Sequence, residues 1–154
     1  MDTKDIVNEI QRIKLRFDES HDTNPDYISP FIKELRQYVF QIHASYEQSM
    51  EIIIKGQFLR DNVTYDAARP LFDELSFYSK LKIVAPLKKD FPRKTADKLN
   101  RLRNDFAHKK GMALRDKYSN GQNPVTRLME EYQFLEVAND ELNYFCNGAK
   151  HGLR

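Results

Sequence analysis

The 154-residue sequence contains no tryptophan, only five glycines and a single cysteine, Cys146. One thiol cannot form an internal disulfide, and no Cys and His spacing is typical of a metal site, so we expect a reducing cytoplasm and no metal. No segment approaches the roughly eighteen apolar residues of a membrane span. The first ten residues, MDTKDIVNEI, have neither the apolar run nor the cleavage site of a secretory signal. The sequence therefore predicts a cytoplasmic protein that is neither exported nor membrane-spanning.

Extended structure is also lacking, because no run of residues alternates apolar and polar side chains for long enough to indicate a strand. Hydrophobic residues make up 40% of the chain and charged residues 31%, which is typical of a globular protein. No internal repeat is visible. At this length we expect one domain over residues 1–154.

Apolar periodicity and turn formers predict an all-α bundle of about five helices with short connections. The helices are expected at about residues 3–18, 30–60, 65–87 (a short helix and then a better one), 92–109 and from 124 onward. Ser29 and Pro30 have the residue types of an N-cap and a first helical position. Residues 112–123 are expected to form a loop, and the tail from Gly148 onward to fray.

Two helices have the clearest apolar stripes. The stripe of the long second helix is expected at Ile32, Leu35, Val39, Ile42, Tyr46 and Ile53, with Ser49 in the gap. The stripe of the last helix is expected at Val125, Leu128, Tyr132, Leu135, Leu142 and Phe145. A long regular stripe also allows a partner helix, but the central helix of a bundle gives the same pattern more often.

Charge is divided unevenly along the chain, although the formal net charge is only +2. Residues 80–117 hold thirteen Lys and Arg against four Asp, a net charge of +9. The remaining residues hold twelve against nineteen, a net charge of −7. Such a split favours one basic surface that faces a polyanion. The alternative is a chance segregation of charge on a helical protein.

The most informative stretch is RLRNDFAHKK, residues 101–110, in which Arg103, Asn104 and His108 occupy the last two turns of a predicted helix. This R-N-x-x-A-H pattern resembles the signature of the HEPN superfamily of small α-helical domains. In that superfamily an arginine, a polar residue and a histidine four to six places after the arginine form the active site of metal-independent ribonucleases. LSFYSKLKIVAPL, residues 75–87, also resembles helical regulators of the mannitol-repressor type, which share the RNDFAH element.

The chemistry of these side chains fits cleavage of RNA without a metal or another cofactor. Imidazole titrates near neutral pH, so a histidine such as His108 suits proton transfer with the 2′-hydroxyl. The guanidinium of Arg103 suits a phosphate, which it binds in a bidentate fork. Asn104 lies four residues before His108 on the same helical face and is expected to orient the imidazole or contact substrate. The RNA-binding residues are expected to be Arg101, Lys109, Lys110, Arg115 and Lys117.

One straight helix does not direct both groups at one phosphate, because five positions separate Arg103 and His108 by roughly 140°. The arginine reaches around, the helix ends early, or a second subunit completes the site. The resemblance favours the last, since HEPN ribonucleases are typically dimers whose motifs meet in a shared groove. Asn100, Arg101, Asn104 and His108 would then line the dimer contact.

Other side chains near the motif have less specific signals. Glu47 is a candidate ion-pair partner for Arg103, and Tyr46 is a candidate groove residue, although core packing is the commoner role for a tyrosine there. His43 neighbours the packed side of the long helix and is interpreted as structural. Some toxins of the superfamily carry a tyrosine, modified by an antitoxin, two places after the histidine; this chain has Lys110 there, which argues against that regulation.

The leading interpretation is a homodimeric, cytoplasmic, metal-independent endoribonuclease of a toxin–antitoxin or phage-defence system, with RNA as substrate and a possible antitoxin or defence partner protein. A noncatalytic dimeric binding module or transcriptional regulator is the first alternative, although no helix pair with a three- or four-residue turn indicates a DNA-binding helix-turn-helix. A purely structural interpretation of the motif is that Arg103 covers apolar surface or pairs with an acid, and that the helix dipole favours His108 at its position. An interaction protein that uses its long helix is the third possibility.

Overall fold

The computed structural model describes residues 25–109 and 124–150, together with residues 5, 8 and 12. The described ranges form five helices and contain no strand, which confirms the predicted all-α bundle. The helices are α1 (Pro25–Phe58), α2 (Tyr65–Glu74), α3 (Phe77–Leu87), α4 (Arg93–His108) and α5 (Pro124–Lys150).

Helix α1 is the centre of the bundle, because each of the other four helices packs against it. Helix α4 also packs against α3 and α5. Arg103 and Asn104 of α4 face a surface built by α1 and α3. No helix in the part of the chain that the structure describes combines the length and the apolar character needed to cross a membrane.

The apolar stripe of α1 continues further than the sequence pattern indicated. Its buried positions are Ile32, Leu35, Val39, Ile42, Tyr46, Met50 and Ile54. Ile53, which was expected in the stripe, is only half-buried, because steps of four residues after Tyr46 follow the 3.6-residue helical turn to Met50 and Ile54.

The beginning of α1 was predicted wrongly. The helix begins at Pro25 and continues through Pro30, which was expected to occupy its first position. Pro25 itself has the residue type favoured at the start of a helix, where a proline lacks only an N–H that would be unsatisfied anyway. Pro30 lies in the second turn, so it breaks at most one hydrogen bond near the helix end.

Short capping sequences define the two helices that follow. The Thr64 hydroxyl accepts a hydrogen bond from the Ala67 N–H at 3.1 Å, and the Ser76 hydroxyl accepts one from the Ser79 N–H at 3.1 Å. Each bond satisfies a backbone donor that the first turn leaves free. Ser76 thereby fixes where α3 begins, which sets the position of the α3 side chains that face α4.

The last two helices agree closely with the expected boundaries. Helix α4 begins at Arg93, directly after Pro92, and ends at His108, one residue before the predicted end. Helix α5 begins at Pro124 as predicted, but it continues to Lys150, past the expected fraying at Gly148. Its buried positions are Leu128, Tyr132, Leu135, Ala138, Leu142 and Phe145.

Two buried tyrosines join α5 to α1 by both apolar and polar contacts. The Tyr46 hydroxyl donates to the Ala138 carbonyl at 2.7 Å, and the Tyr132 hydroxyl donates to the Phe31 carbonyl at 3.0 Å. Tyr46 is fully buried, so its expected core role is confirmed. Within the described residues every buried side-chain nitrogen and oxygen has a hydrogen-bond partner.

Three predictions from the sequence concern residues that the structure does not describe: the loop over residues 112–123, the side chain of Val125 and most of the helix over residues 3–18. Of that helix only Asp5, Asn8 and Arg12 are described, and all three are helical.

Candidate functional site

A buried ion-pair network adjoins the candidate site through Glu47. Lys80 of α3, whose side chain is only 3% exposed, places its Nζ 2.6 Å from Glu47 Oε1 and 2.7 Å from Glu51 Oε1. Burial acts to lower the pKa of Lys80, but the hydrogen bonds and charges of the two glutamates outweigh it and raise the pKa. The Tyr65 hydroxyl donates to Glu51 Oε2, and burial together with this bond raises the pKa of Tyr65 to about 12.

This network changes the role expected of Glu47. The expected ion pair between Glu47 and Arg103 is not among the ion pairs of the described residues, and Lys80 takes the carboxylate instead. The sequence pattern hid this pairing because Lys80 lies 33 positions away on another helix. Glu47 nevertheless remains beside Arg103, since both line the same cavity.

His43 of α1 lines the same cavity as Arg103. It is buried on α1, its ring stacks on Phe77 with centroids 4.2 Å apart, and Nε2 lies 3.1 Å from Asn100 Oδ1 of α4. The amide oxygen accepts, so Nε2 carries the proton. Burial lowers the pKa of His43, against the opposing effects of the Asn100 bond and the Glu47 charge. The ring is therefore neutral at neutral pH.

Arg103 and Asn104 lie side by side on α4. Arg103 Nη1 donates to Asn104 Oδ1 at 3.2 Å, and the guanidinium carbon lies 5.4 Å from the centre of the Phe40 ring. Arg36 lies over the same ring at 5.5 Å. The backbone behind Arg103 is held by the predicted core stripe, since Leu99, Leu102 and Phe106 are all buried.

These side chains meet in a cavity of about 390 Å³ between α1, α3 and α4, which we call the motif cavity. Its lining includes the polar side chains of His43, Glu47, Ser76, Tyr78, Asn100, Arg103 and Asn104. Among the ion pairs of residues 25–109 and 124–150, none involves Arg103. A guanidinium that is half-buried and lacks a carboxylate partner is suited to bind an anion.

His108 is not part of the motif cavity. It is the last residue of α4, it is exposed, and it does not line the cavity that holds Arg103 and Asn104. Lys109 follows it, also exposed, with Nζ 3.7 Å from Asp105 Oδ1. The helix thus directs Arg103 and His108 apart, as their angular separation predicts. Asn104, which was expected to share a face with His108 and orient its imidazole, instead accepts a hydrogen bond from Arg103 and lines the motif cavity.

A second concave surface lies between α3 and α4, which we call the basic groove. It has a volume of about 550 Å³ and is lined by Tyr78 and Lys82 of α3 and by Arg93, Lys94, Asp97 and Arg101 of α4. Arg101, one of the predicted RNA-binding residues, lies here and forms an ion pair with Asp97 at 2.9 Å. The other predicted RNA-binding residues Lys110, Arg115 and Lys117 lie outside the described residues.

Sequence reasoning missed His43 as a cavity residue and missed the basic groove apart from Arg101. The available signals were helical spacings. Arg93, Asp97 and Arg101 recur every four residues, and Tyr78 and Lys82 are four apart, so each set shares one helical face. What the sequence did not show is that the two faces meet.

Comparisons of the chain with protein-family models, with curated proteins and with solved structures return no match. In the described part of the chain, no group of three or more His, Cys, Asp and Glu side chains is placed to hold a metal ion.

Proposed function

We propose that the chain is a metal-independent endoribonuclease of a toxin–antitoxin or phage-defence system, and that it acts as a cytoplasmic homodimer. The observation that carries the proposal is Arg103 in the motif cavity, half-buried and without a carboxylate partner among the described residues. A scissile phosphate is a natural ligand for such a guanidinium. The resemblance of R-N-x-x-A-H to the HEPN signature supports the same chemistry.

The proposed reaction needs a proton acceptor beside Arg103, and His108 of the same chain does not line the motif cavity. In the dimer, His108 of a second copy accepts the proton of the 2′-hydroxyl, and the 2′-oxygen attacks phosphorus. The bond from phosphorus to the 5′-oxygen breaks, that oxygen takes up a proton from water, and the imidazolium releases its proton to solvent. The products are a 2′,3′-cyclic phosphate and a 5′-hydroxyl end. Arg103 stabilises the charge that gathers on the phosphate oxygens.

Asn104 and Asn100 have positioning roles in this proposal. Asn104 Oδ1 accepts a hydrogen bond from Arg103, and this bond holds the guanidinium toward the cavity. Asn100 Oδ1 accepts a hydrogen bond from His43 Nε2, and this bond fixes the position of His43 on the α1 wall of the cavity. A rigid wall keeps the arginine within the narrow range of geometries in which it stabilises a transition state.

One observation favours the second candidate, a noncatalytic dimeric binding module or regulator. His108 lies outside the motif cavity, so a single chain offers an anion site without an adjoining exposed base. In that case the protein binds RNA or another polyanion without turnover.

Cleavage of a labelled RNA in excess EDTA separates the two candidates. The nuclease produces fragments that end in 2′,3′-cyclic phosphate, and Arg103→Ala and His108→Ala each abolish them. Arg36→Ala is the matched control for Arg103→Ala. Arg36 packs its guanidinium on the same Phe40 ring but does not line the motif cavity. Wild-type protein that binds RNA but yields no fragments contradicts the nuclease and supports the binding module.

A further inference from the structure

The basic groove has no role in the proposed reaction, yet its volume exceeds that of the motif cavity. We infer that it binds single-stranded RNA on one side of the cleavage site, with Lys82, Arg93 and Lys94 on the phosphates and Tyr78 stacked on a base. The inference rests on the proposed function for the identity of the polymer and adds a binding site for it.

Charge is the first argument. Four cationic side chains line the groove against one carboxylate, Asp97, which is already bound to Arg101. Lys82, Arg93 and Lys94 are exposed, and no ion pair of the described residues includes them. Their charges are therefore available to a polyanion, whose condensed counterions are released on binding.

Continuity is the second argument. Tyr78 lines both the basic groove and the motif cavity, so the two concave surfaces adjoin at this side chain. A strand that lies in the groove and passes Tyr78 therefore enters the cavity whose guanidinium we assign to the scissile phosphate.

The aromatic side chain favours a single strand over a duplex. Tyr78 is 50% exposed, and Lys82 Nζ lies 4.7 Å from the centre of its ring. Unpaired bases stack on exposed aromatic rings with little dependence on sequence, whereas double-stranded RNA is recognised by its shape over a much longer surface. The groove, at about 550 Å³, lies between two helices of eleven and sixteen residues and suits a short segment of chain.

The test is fluorescence anisotropy of a labelled oligouridine RNA, measured over a range of salt concentrations in EDTA. The protein carries His108→Ala throughout, so that the RNA stays intact. Lys82→Ala/Arg93→Ala is compared with Lys33→Ala/Arg60→Ala, which removes one exposed lysine and one exposed arginine away from the groove. We expect the groove variant to reduce the slope of log K against log salt by about 1.4, since each phosphate contact on a single strand contributes about 0.7. The control leaves the slope unchanged.

Tyr78 supplies the second readout. Tyr78→Ala is expected to weaken RNA binding about tenfold, while Tyr78→Phe, which keeps the ring, binds like the parent protein. Equal loss in the two variants overturns the stacking role. The same measurement with oligodeoxythymidine shows whether the groove requires the 2′-hydroxyl; equal affinity for both polymers supports a backbone-and-stacking site.

The groove and the nuclease fail in different ways. If wild-type protein cleaves RNA but the groove and control double variants bind it with the same slope and affinity, the groove assignment is wrong and the nuclease stands. If RNA binds with the predicted slope change but is never cleaved, the nuclease is wrong and the groove stands. If an acidic peptide displaces the RNA from the parent protein but not from the groove variant, and RNA itself binds weakly, the groove serves a protein ligand and the inference is overturned.

Discussion

Replacing Lys80 by methionine removes the only cation within ion-pair distance of Glu47 and Glu51 among the described residues. Removing one partner of a buried ion pair costs about 3–5 kcal/mol, because the remaining charge stays buried without compensation. The Glu47 side chain is 32% exposed, so water still solvates part of its charge when Lys80 is removed, whereas the Glu51 side chain is only 12% exposed. We therefore expect Lys80→Met to lower the free energy of unfolding by about 3 kcal/mol, near the lower end of that range.

Urea unfolding followed by far-UV circular dichroism measures this loss, and the melting temperature should fall by roughly 6–12 °C for a chain of this length. Lys82→Met is the matched control on the same helix: it is exposed and should change the unfolding free energy by less than about 0.5 kcal/mol. The double variant Lys80→Met/Glu51→Met should be less destabilised than the sum of its single changes, since apolar replacement of both partners leaves less charge buried.

The pH dependence follows from the raised pKa of Lys80. The stabilisation that it provides is fully present below the ordinary lysine pKa of 10.5 and is lost as the pH rises through its higher pKa in the folded protein. The difference between wild type and Lys80→Met should therefore stay constant from neutral pH to about pH 9 and narrow only in strong alkali. A Lys80→Met protein as stable as wild type at neutral pH would refute the reasoning.

Two further predictions concern α1. Burial lowers the pKa of His43, so the stabilising effect of the neutral ring is present above the ordinary histidine pKa of 6.5 and is lost as the pH falls through the lower pKa of the folded protein. Chemical denaturation of His43→Gln should therefore show a smaller loss of stability below pH 6.5 than wild type. An unchanged pH profile would contradict this. Tyr46→Phe, which removes a buried 2.7 Å hydrogen bond to the Ala138 carbonyl, should cost about 1 kcal/mol in urea unfolding, with no loss of helicity; a neutral change would show that the bond adds nothing.

The fold was predictable because apolar periodicity is a local property. The stripe of α5 and the positions Leu99, Leu102 and Phe106 of α4 each repeat with the helical turn, and burial follows directly. The start of α1 was not predictable in this way. Pro25 and Pro30 both have the residue type of a first helical position, and the helix begins at the earlier of the two.

The site was only partly predictable, because its residues come from different helices. Residue spacing separated Arg103 from His108 on one helix, but it grouped Asn104 with His108, whereas Asn104 bonds to Arg103 and lines the motif cavity with it. It did not reveal that Lys80 binds Glu47, or that His43 bonds to Asn100 across 57 positions. Those pairings depend on how α1, α3 and α4 pack, which a pattern within one helix does not encode.

The central claim is that Arg103 and His108 act on one phosphodiester from two copies of the chain, and mixing two inactive variants tests it most directly. Arg103→Ala and His108→Ala proteins are unfolded together, refolded, and assayed for RNA cleavage in EDTA beside each variant alone. In a mixed dimer one of the two sites keeps both groups, and half of the dimers are mixed, so we predict about a quarter of the wild-type activity. If the mixture stays as inactive as its components, the claim that two copies share the site is contradicted.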